Sequence, residues 1–213
     1  MAQNELPPAD QLIVRVGKAC NFKCNFCNVS DNESNVNFRE SIKDIVRNFH
    51  YKLLYSNYDS GKIIITISGW EPSIFQKETI FAIRYIQQFL QKKWVEPLFE
   101  IQTNASCINS KFAHQLSALW VKSALVSFHA INPHIFEKII QIPYKSFFHK
   151  IIEWIEYLHN AGISVQTNTI LSSQNQSDFL PTIYFLNERF PFISLFHIWL
   201  IQPHGEAKKI LEE

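Results

Sequence analysis

Apolar residues along this chain recur at two alternating spacings. Leu12 to Val16 is a short apolar run, and "KIIITI" (62–67) is a β-branched run of the kind that forms a strand buried on both faces. "PLFEIQT" (97–103), "SALVSFH" (123–129), "ISVQTNTIL" (163–171) and "SLFHIWLI" (194–201) complete six predicted strands. Helical spacing fills the intervals. Phe38, Ile42, Ile45, Val46, Phe49 and Leu53 recur at three and four residues, as do Ile80, Ile83, Ile86, Phe89 and Leu90 behind Ser73, the predicted N-cap. Phe112, Leu116, Leu119 and Trp120 mark a third helix behind Asn109 and Ser110. Asn132-Pro133 supplies a cap and a proline at the first helical position. Pro143 interrupts this fourth segment before Phe147, Ile151, Ile152, Ile155 and Leu158 resume the pattern. Gly162 is placed to stop it as a left-handed cap. A fifth pattern runs from Gln176-Ser177 through Phe179, Ile183 and Leu186 and ends before Pro191.

Strand and helix alternate at roughly 30 residues, the size of a βα unit, which predicts an α/β fold with a mostly parallel sheet. Six units fit an open doubly wound sheet or a partial barrel, and periodicity does not choose between them. Both place functional groups at the carboxyl ends of the strands.

With 213 residues, 46% of them hydrophobic, the chain can bury one sizeable core. The expectation is a single domain over 1–213, with 1–10 a flexible N-terminal segment. Lys and Arg number 20 against 19 Asp and Glu, and no basic run marks a nucleic-acid surface. "MAQNELPPADQ" lacks the basic start and apolar stretch of a signal peptide, and no segment reaches the ~18 apolar residues of a membrane span. A cytoplasmic protein without nucleic-acid or membrane partners is expected. In that reducing compartment clustered cysteines read as metal-binding or catalytic.

The cluster is "ACNFKCNFCNVS", with Cys20, Cys24 and Cys27 directly after the first strand. Thiolates suit zinc, Cu(I) and iron–sulfur clusters. A structural zinc site needs four ligands, usually from paired modules, and no second module follows: His50 lies inside a predicted helix and Cys107 stands alone. A [4Fe–4S] cluster usually takes four cysteines, so three leave one iron open to a substrate or cofactor.

This spacing, with aromatic Phe26 just before the third cysteine, resembles the CxxxCxΦC signature of the radical S-adenosylmethionine (radical SAM) superfamily. Further stretches resemble family motifs in family order. After the second strand "SGWEPSIF" is similar to the family's Gly-Gly-Glu-Pro, a turn whose backbone binds the cofactor's amino group. Gly69, Glu71 and Pro72 match, whereas Trp70 replaces the second glycine. A tryptophan does not take φ > 0 cheaply, so the turn must use negative φ there or differ in shape. "QTNAS" resembles Thr-Asn-Gly and puts Asn104 near the cofactor's ribose or methionine end. "SFHA" supplies Ser127 and His129, which alternation places on one face. Gln166 and Asn168 share a face of the fifth strand, and Asn168 is expected beside the cofactor. "IQPHGEA" resembles a Pro-x-Gly-x-Ala segment, matched at Pro203, Gly205 and Ala207, with backbone contacts from Ile201 and Gln202 near the adenine.

The resemblance implies a partial (βα)6 barrel with parallel strands and two cofactors, a [4Fe–4S] cluster on Cys20, Cys24 and Cys27 and S-adenosylmethionine. It implies reductive cleavage of S-adenosylmethionine to a 5′-deoxyadenosyl radical that abstracts a substrate hydrogen. The substrate would be a small molecule or peptide, and the electron donor a flavodoxin or ferredoxin. The interior suggested by "IIITI" and "FHIWLI" would be apolar and shelter the radical. Substrate contacts would come from His129, His197, Trp199, Gln202 and His204. No cysteine cluster follows strand six, so no auxiliary cluster is expected, and Cys107 reads as a small structural residue. Compact relatives include glycyl-radical-enzyme activases and deazaguanine-forming enzymes, the latter with a metal-assisting residue just after the cysteines, where Ser30 or Asp31 stands. A partner protein supplying substrate recognition fits the small size. The rival reading is a non-catalytic Fe–S or zinc protein on a degenerate radical SAM scaffold, favoured by Trp70.

Overall fold

A computed structural model describes residues 11–17, 19–27, 38–55, 62–92, 95–202 and 207. Residues 1–10, Ser30, Asp31, Pro203, His204 and Gly205, all named above, lie outside the described residues. Six strands alternate with six helices: β1 (Gln11–Val16), α1 (Phe38–Tyr55), β2 (Lys62–Gly69), α2 (Gln76–Gln91), β3 (Glu96–Thr103), α3 (Ser110–Ala118), β4 (Val121–Ser127), α4 (Pro133–Ile140), α5 (Tyr144–Asn160), β5 (Ser164–Leu171), α6 (Gln176–Arg189) and β6 (Leu195–Leu200). The strands form one parallel sheet in the order β1-β2-β3-β4-β5-β6, with β1 and β6 unpaired to each other, so the barrel is partial.

Local signals explain most boundaries. Asn109 accepts a hydrogen bond from Phe112 N and caps α3, while Asn132 accepts from His134 N and Ile135 N ahead of Pro133 in α4. Pro143 separates α4 from α5, and Gly162 at φ +80° follows α5. Two expectations need correction. Ser73 does not cap α2: the helix starts at Gln76, and Ser73 N–H donates to Glu71 Oε1 at 2.9 Å inside the preceding turn. β4 begins two residues earlier than predicted and ends at Ser127, so His129 follows the strand.

The sheet's two faces differ in a way that composition hides. Ile63, Ile65 and Ile67 of β2 are fully buried in the core, together with Ile42, Ile83 and Ile101. Ile64 is 45% exposed, so β2 is not buried on both faces. The opposite face is the lumen, where polar pairs across neighbouring strands stand among apolar side chains such as Ile13 and Ile170, which line the cavity. Gln11 Nε2 donates to Thr66 Oγ1, Ser68 Oγ to Gln102 Oε1 and Ser123 Oγ to Glu100 Oε2, and His197 Nε2 meets Gln166 Oε1 at 2.8 Å. In β2, alternation sends Ile63, Ile65 and Ile67 to the helices and Ile64, Thr66 and Ser68 inward.

Candidate functional site

The loop after β1 carries the cysteines and is held from outside itself. Lys23 N donates to Ile140 O at 3.1 Å and Asn25 N to Ile139 O at 3.0 Å, so the last carbonyls of α4, left free by the helix end, fix the loop. Asn25 Nδ2 adds a bond to Gln174 Oε1 at 2.7 Å. No sequence signal linked these segments, which lie more than 100 residues apart.

Cys20, Cys24 and Cys27 line one wall of a cavity of about 830 Å³ at the carboxyl ends of the strands. Burial pushes the Cys20 thiol up to about 11 and Cys24 further, reinforced for Cys24 by Cys20 and Cys27. Phe22 N–H and Asn104 Nδ2 donate to Cys20 Sγ. Among the described residues no three His, Cys, Asp or Glu side chains converge closely enough for a single metal ion. Three thiols on one cavity wall are a soft donor set of the kind that iron–sulfur clusters take.

The turn after β2 supplies the next wall. Gly69 has φ +122°, and a Cβ there would lie 2.9 Å from the backbone N and O of Val16. Trp70 is absent from the residues with positive φ, so the turn keeps negative φ where the family pattern has its second glycine. In the Thr-Asn-Gly-like turn the reverse holds: Ala105 sits at φ +58°, held by Thr103 Oγ1 accepting from Ala105 N and Asn104 Oδ1 accepting from Ser106 N. Glu71 is fully buried and spent on structure. Its carboxylate accepts from Ser73 N, Thr103 Oγ1 and Asn104 N at 2.9, 2.5 and 2.6 Å, tying the end of β2 to that of β3. Burial raises its pKa, and those bonds oppose the rise. Pro72 O accepts from Thr79 Oγ1 and anchors α2. Asn104 faces the cysteines, donating to Cys20 Sγ and to Asn21 Oδ1.

Ser127, His129 and Asn168 line the far wall. His129 Nδ1 accepts from Ile170 N at 3.2 Å, which leaves the proton on Nε2, and burial lowers its pKa to about 4. Its ring meets Phe26 edge-on, centroids 4.8 Å apart. Phe26 therefore joins the cysteine loop to the segment after β4 while facing the cavity. Ile201 and Gln202 reach the rim, where Ile201 N is already bound to Leu171 O. Trp199 also lines the cavity, whereas His197 is engaged by Gln166. Cys107 does not line it and sits against Asn21 and Ser106. Arg15, which the sequence did not single out, does.

Among the described residues five buried side-chain atoms lack partners, Asn25 Oδ1, Ser73 Oγ, Thr167 Oγ1, Trp70 Nε1 and Asn168 Oδ1, and the last two matter here. Both residues line the cavity. Buried polar groups are ordinarily satisfied, so a donor and an acceptor left open here fit a polar molecule bound beside the thiols. A smaller hollow of about 250 Å³, lined by Gln87, Pro97 and Trp120, gathers none of the motif residues.

A family model described as Radical SAM superfamily matches residues 14–186. The chain belongs to this superfamily of enzymes. It is 28% identical over 181 residues to a GTP 3′,8-cyclase of Aliarcobacter butzleri (strain RM4018), covering 84% of this chain and 52% of the relative. It is 23% identical over 223 residues to the FeMo cofactor biosynthesis protein NifB of Methanocaldococcus jannaschii, covering 93% and 73%. The chain thus spans about half the length of that cyclase. Its fold resembles Streptococcus suis SuiB bound to precursor peptide SuiA, with TM-score 0.70 at 16% identity over 94% of this chain and 41% of SuiB. SuiB bound to S-adenosylmethionine aligns with TM-score 0.64. Among the described residues no helix is long and apolar enough to cross a membrane.

Proposed function

We propose that this chain is a radical SAM enzyme in which Cys20, Cys24 and Cys27 hold a [4Fe–4S] cluster and S-adenosylmethionine occupies the adjoining cavity. One observation carries the reading: ends of five strands bring the three thiols, Gly69, Trp70 and Glu71 of the turn after β2, Asn104, His129 and Asn168 to a single cavity. The bound cluster and cofactor would supply one-electron cleavage to a 5′-deoxyadenosyl radical able to take a hydrogen from substrate.

The chain's own residues do the rest. Gly69 lets the turn pass close to β1, and its backbone, with Trp70 Nε1, offers donors toward the cofactor's methionine end. Glu71 holds the turn rigid without touching the ligand. Asn104 positions Cys20. Neutral His129 presents Nε2–H, and Asn168 Oδ1 accepts from a ribose hydroxyl. Phe26 and Trp199 narrow access for water. The objection from Trp70 loses force because its backbone keeps negative φ, which removes the feature that favoured a non-catalytic scaffold. The substrate is a small molecule or a peptide, and a flavodoxin or ferredoxin delivers the electron.

Anaerobic reconstitution with iron and sulfide, then reduction in the presence of S-adenosylmethionine, tests this. Wild type is expected to release 5′-deoxyadenosine and Cys24→Ala none; equal amounts from both would sink the proposal.

A further inference from the structure

Arg15 is the unexplained group in this cavity. It lies on β1 pointing into the lumen, it is exposed, and among the described residues it forms no ion pair. The strand register sets Arg15 beside Ser68, and Ser68 Oγ donates to Gln102 Oε1 at 2.9 Å. Three adjacent strands thus form one polar row, one residue nearer the amino end of the sheet than the Gly69 turn, which pairs with Val16.

Among the described residues no carboxylate pairs with the guanidinium. Glu71, the other formally charged residue lining the cavity, is fully buried and accepts three hydrogen bonds from the protein. Glu100 accepts from Ser123 Oγ and does not line the cavity. His129 is held neutral by burial. Among the described residues the cavity lining therefore has one permanent positive charge, presented on a rigid strand, with hydroxyl and amide groups beside it. A guanidinium matches the two-oxygen edge of a phosphate or carboxylate, and such charge-assisted pairs are stronger where water is partly excluded.

We infer that Arg15, with Ser68 and Gln102, is the docking site for an oxyanion on the substrate, which makes the substrate an anionic molecule. This rests on the radical SAM reading of the same cavity. A phosphoryl group and a carboxylate share the required chemistry, and the experiment separates them.

The cluster-loaded, S-adenosylmethionine-bound protein is titrated calorimetrically with inorganic pyrophosphate and, separately, with succinate. At least one should bind, and the one that binds identifies the class. Arg15→Gln should weaken it about tenfold or more, about 1.4 kcal/mol, and Arg15→Lys by less, because an ammonium keeps the charge and loses the fork. Neither anion binding to wild type, or equal affinity in Arg15→Gln, overturns the inference. So does a loss of S-adenosylmethionine affinity in Arg15→Gln as large as the loss for the anion, which would make the cofactor's own carboxylate the partner. Failure of the underlying reading shows separately, as a wild type that forms no 5′-deoxyadenosine while its anion titration still reports on Arg15.

Discussion

Gly69 combines a backbone dihedral open to glycine with a Cβ position already occupied by the Val16 backbone. Gly69→Ala should cost about 1–3 kcal/mol from strain alone, more if β1 is pushed aside, and thermal unfolding of the cluster-free chain measures it. His129 gives a pH signature. Its folded pKa of about 4 lies below the unfolded 6.5, so between those values the unfolded chain binds more protons. Stability should therefore rise with pH across that window and fall as pH drops from 6.5 toward 4. The shift corresponds to on the order of 3 kcal/mol. Urea midpoints across pH 4.5–7 should slope less steeply for His129→Gln than for wild type, and parallel profiles would show that burial of the neutral ring is not the cause. Phe26, which the sequence marked as the aromatic before the third cysteine, lines the cavity. The edge-on contact with His129 was not legible, because nothing local links positions 26 and 129.

At the scale of elements, the family-like motifs are strand ends tied to one another. Glu71 joins β2 to β3 through three donors, two of them backbone N–H groups. Glu71→Gln puts an NH₂ among those donors and should destabilise by about 1–3 kcal/mol, read by chemical unfolding. It should also lower the iron retained, since Asn104 carries the clamp to Cys20. Unchanged iron content and midpoint would reduce Glu71 to a replaceable buried polar group. Helix signals were largely local: Asn109, Asn132, Pro133 and Gly162 act within a turn of themselves. Ser73 failed as a cap because α2 starts only at Gln76, with Phe75 in the cap position and Ser73 held in the preceding turn. The α4 carbonyls that hold the cysteine loop were invisible, since a helix end shows in sequence while its distant acceptors and donors do not.

Over the whole molecule, the six strands assemble a cavity to which Cys107 does not contribute although it is a cysteine. Cys107→Ser should keep the full cluster absorbance and iron content that Cys20→Ala loses; a matching loss in Cys107→Ser would make it a ligand. The period of the apolar residues determined the order of strands and helices and the parallel sheet, because alternation and helical spacing are properties of neighbouring residues. Cysteine spacing likewise determined the family, since three thiols within eight residues must meet one site. Tertiary structure decided the remainder. It turned Ile63, Ile65 and Ile67 of β2 outward and a polar row inward, aimed Asn104 at a cysteine, left Trp70 Nε1 and Asn168 Oδ1 open, and set Arg15 in the lumen with no ion pair among the described residues. Which face of a strand is core and which polar group finds a partner depend on residues brought together from across the chain.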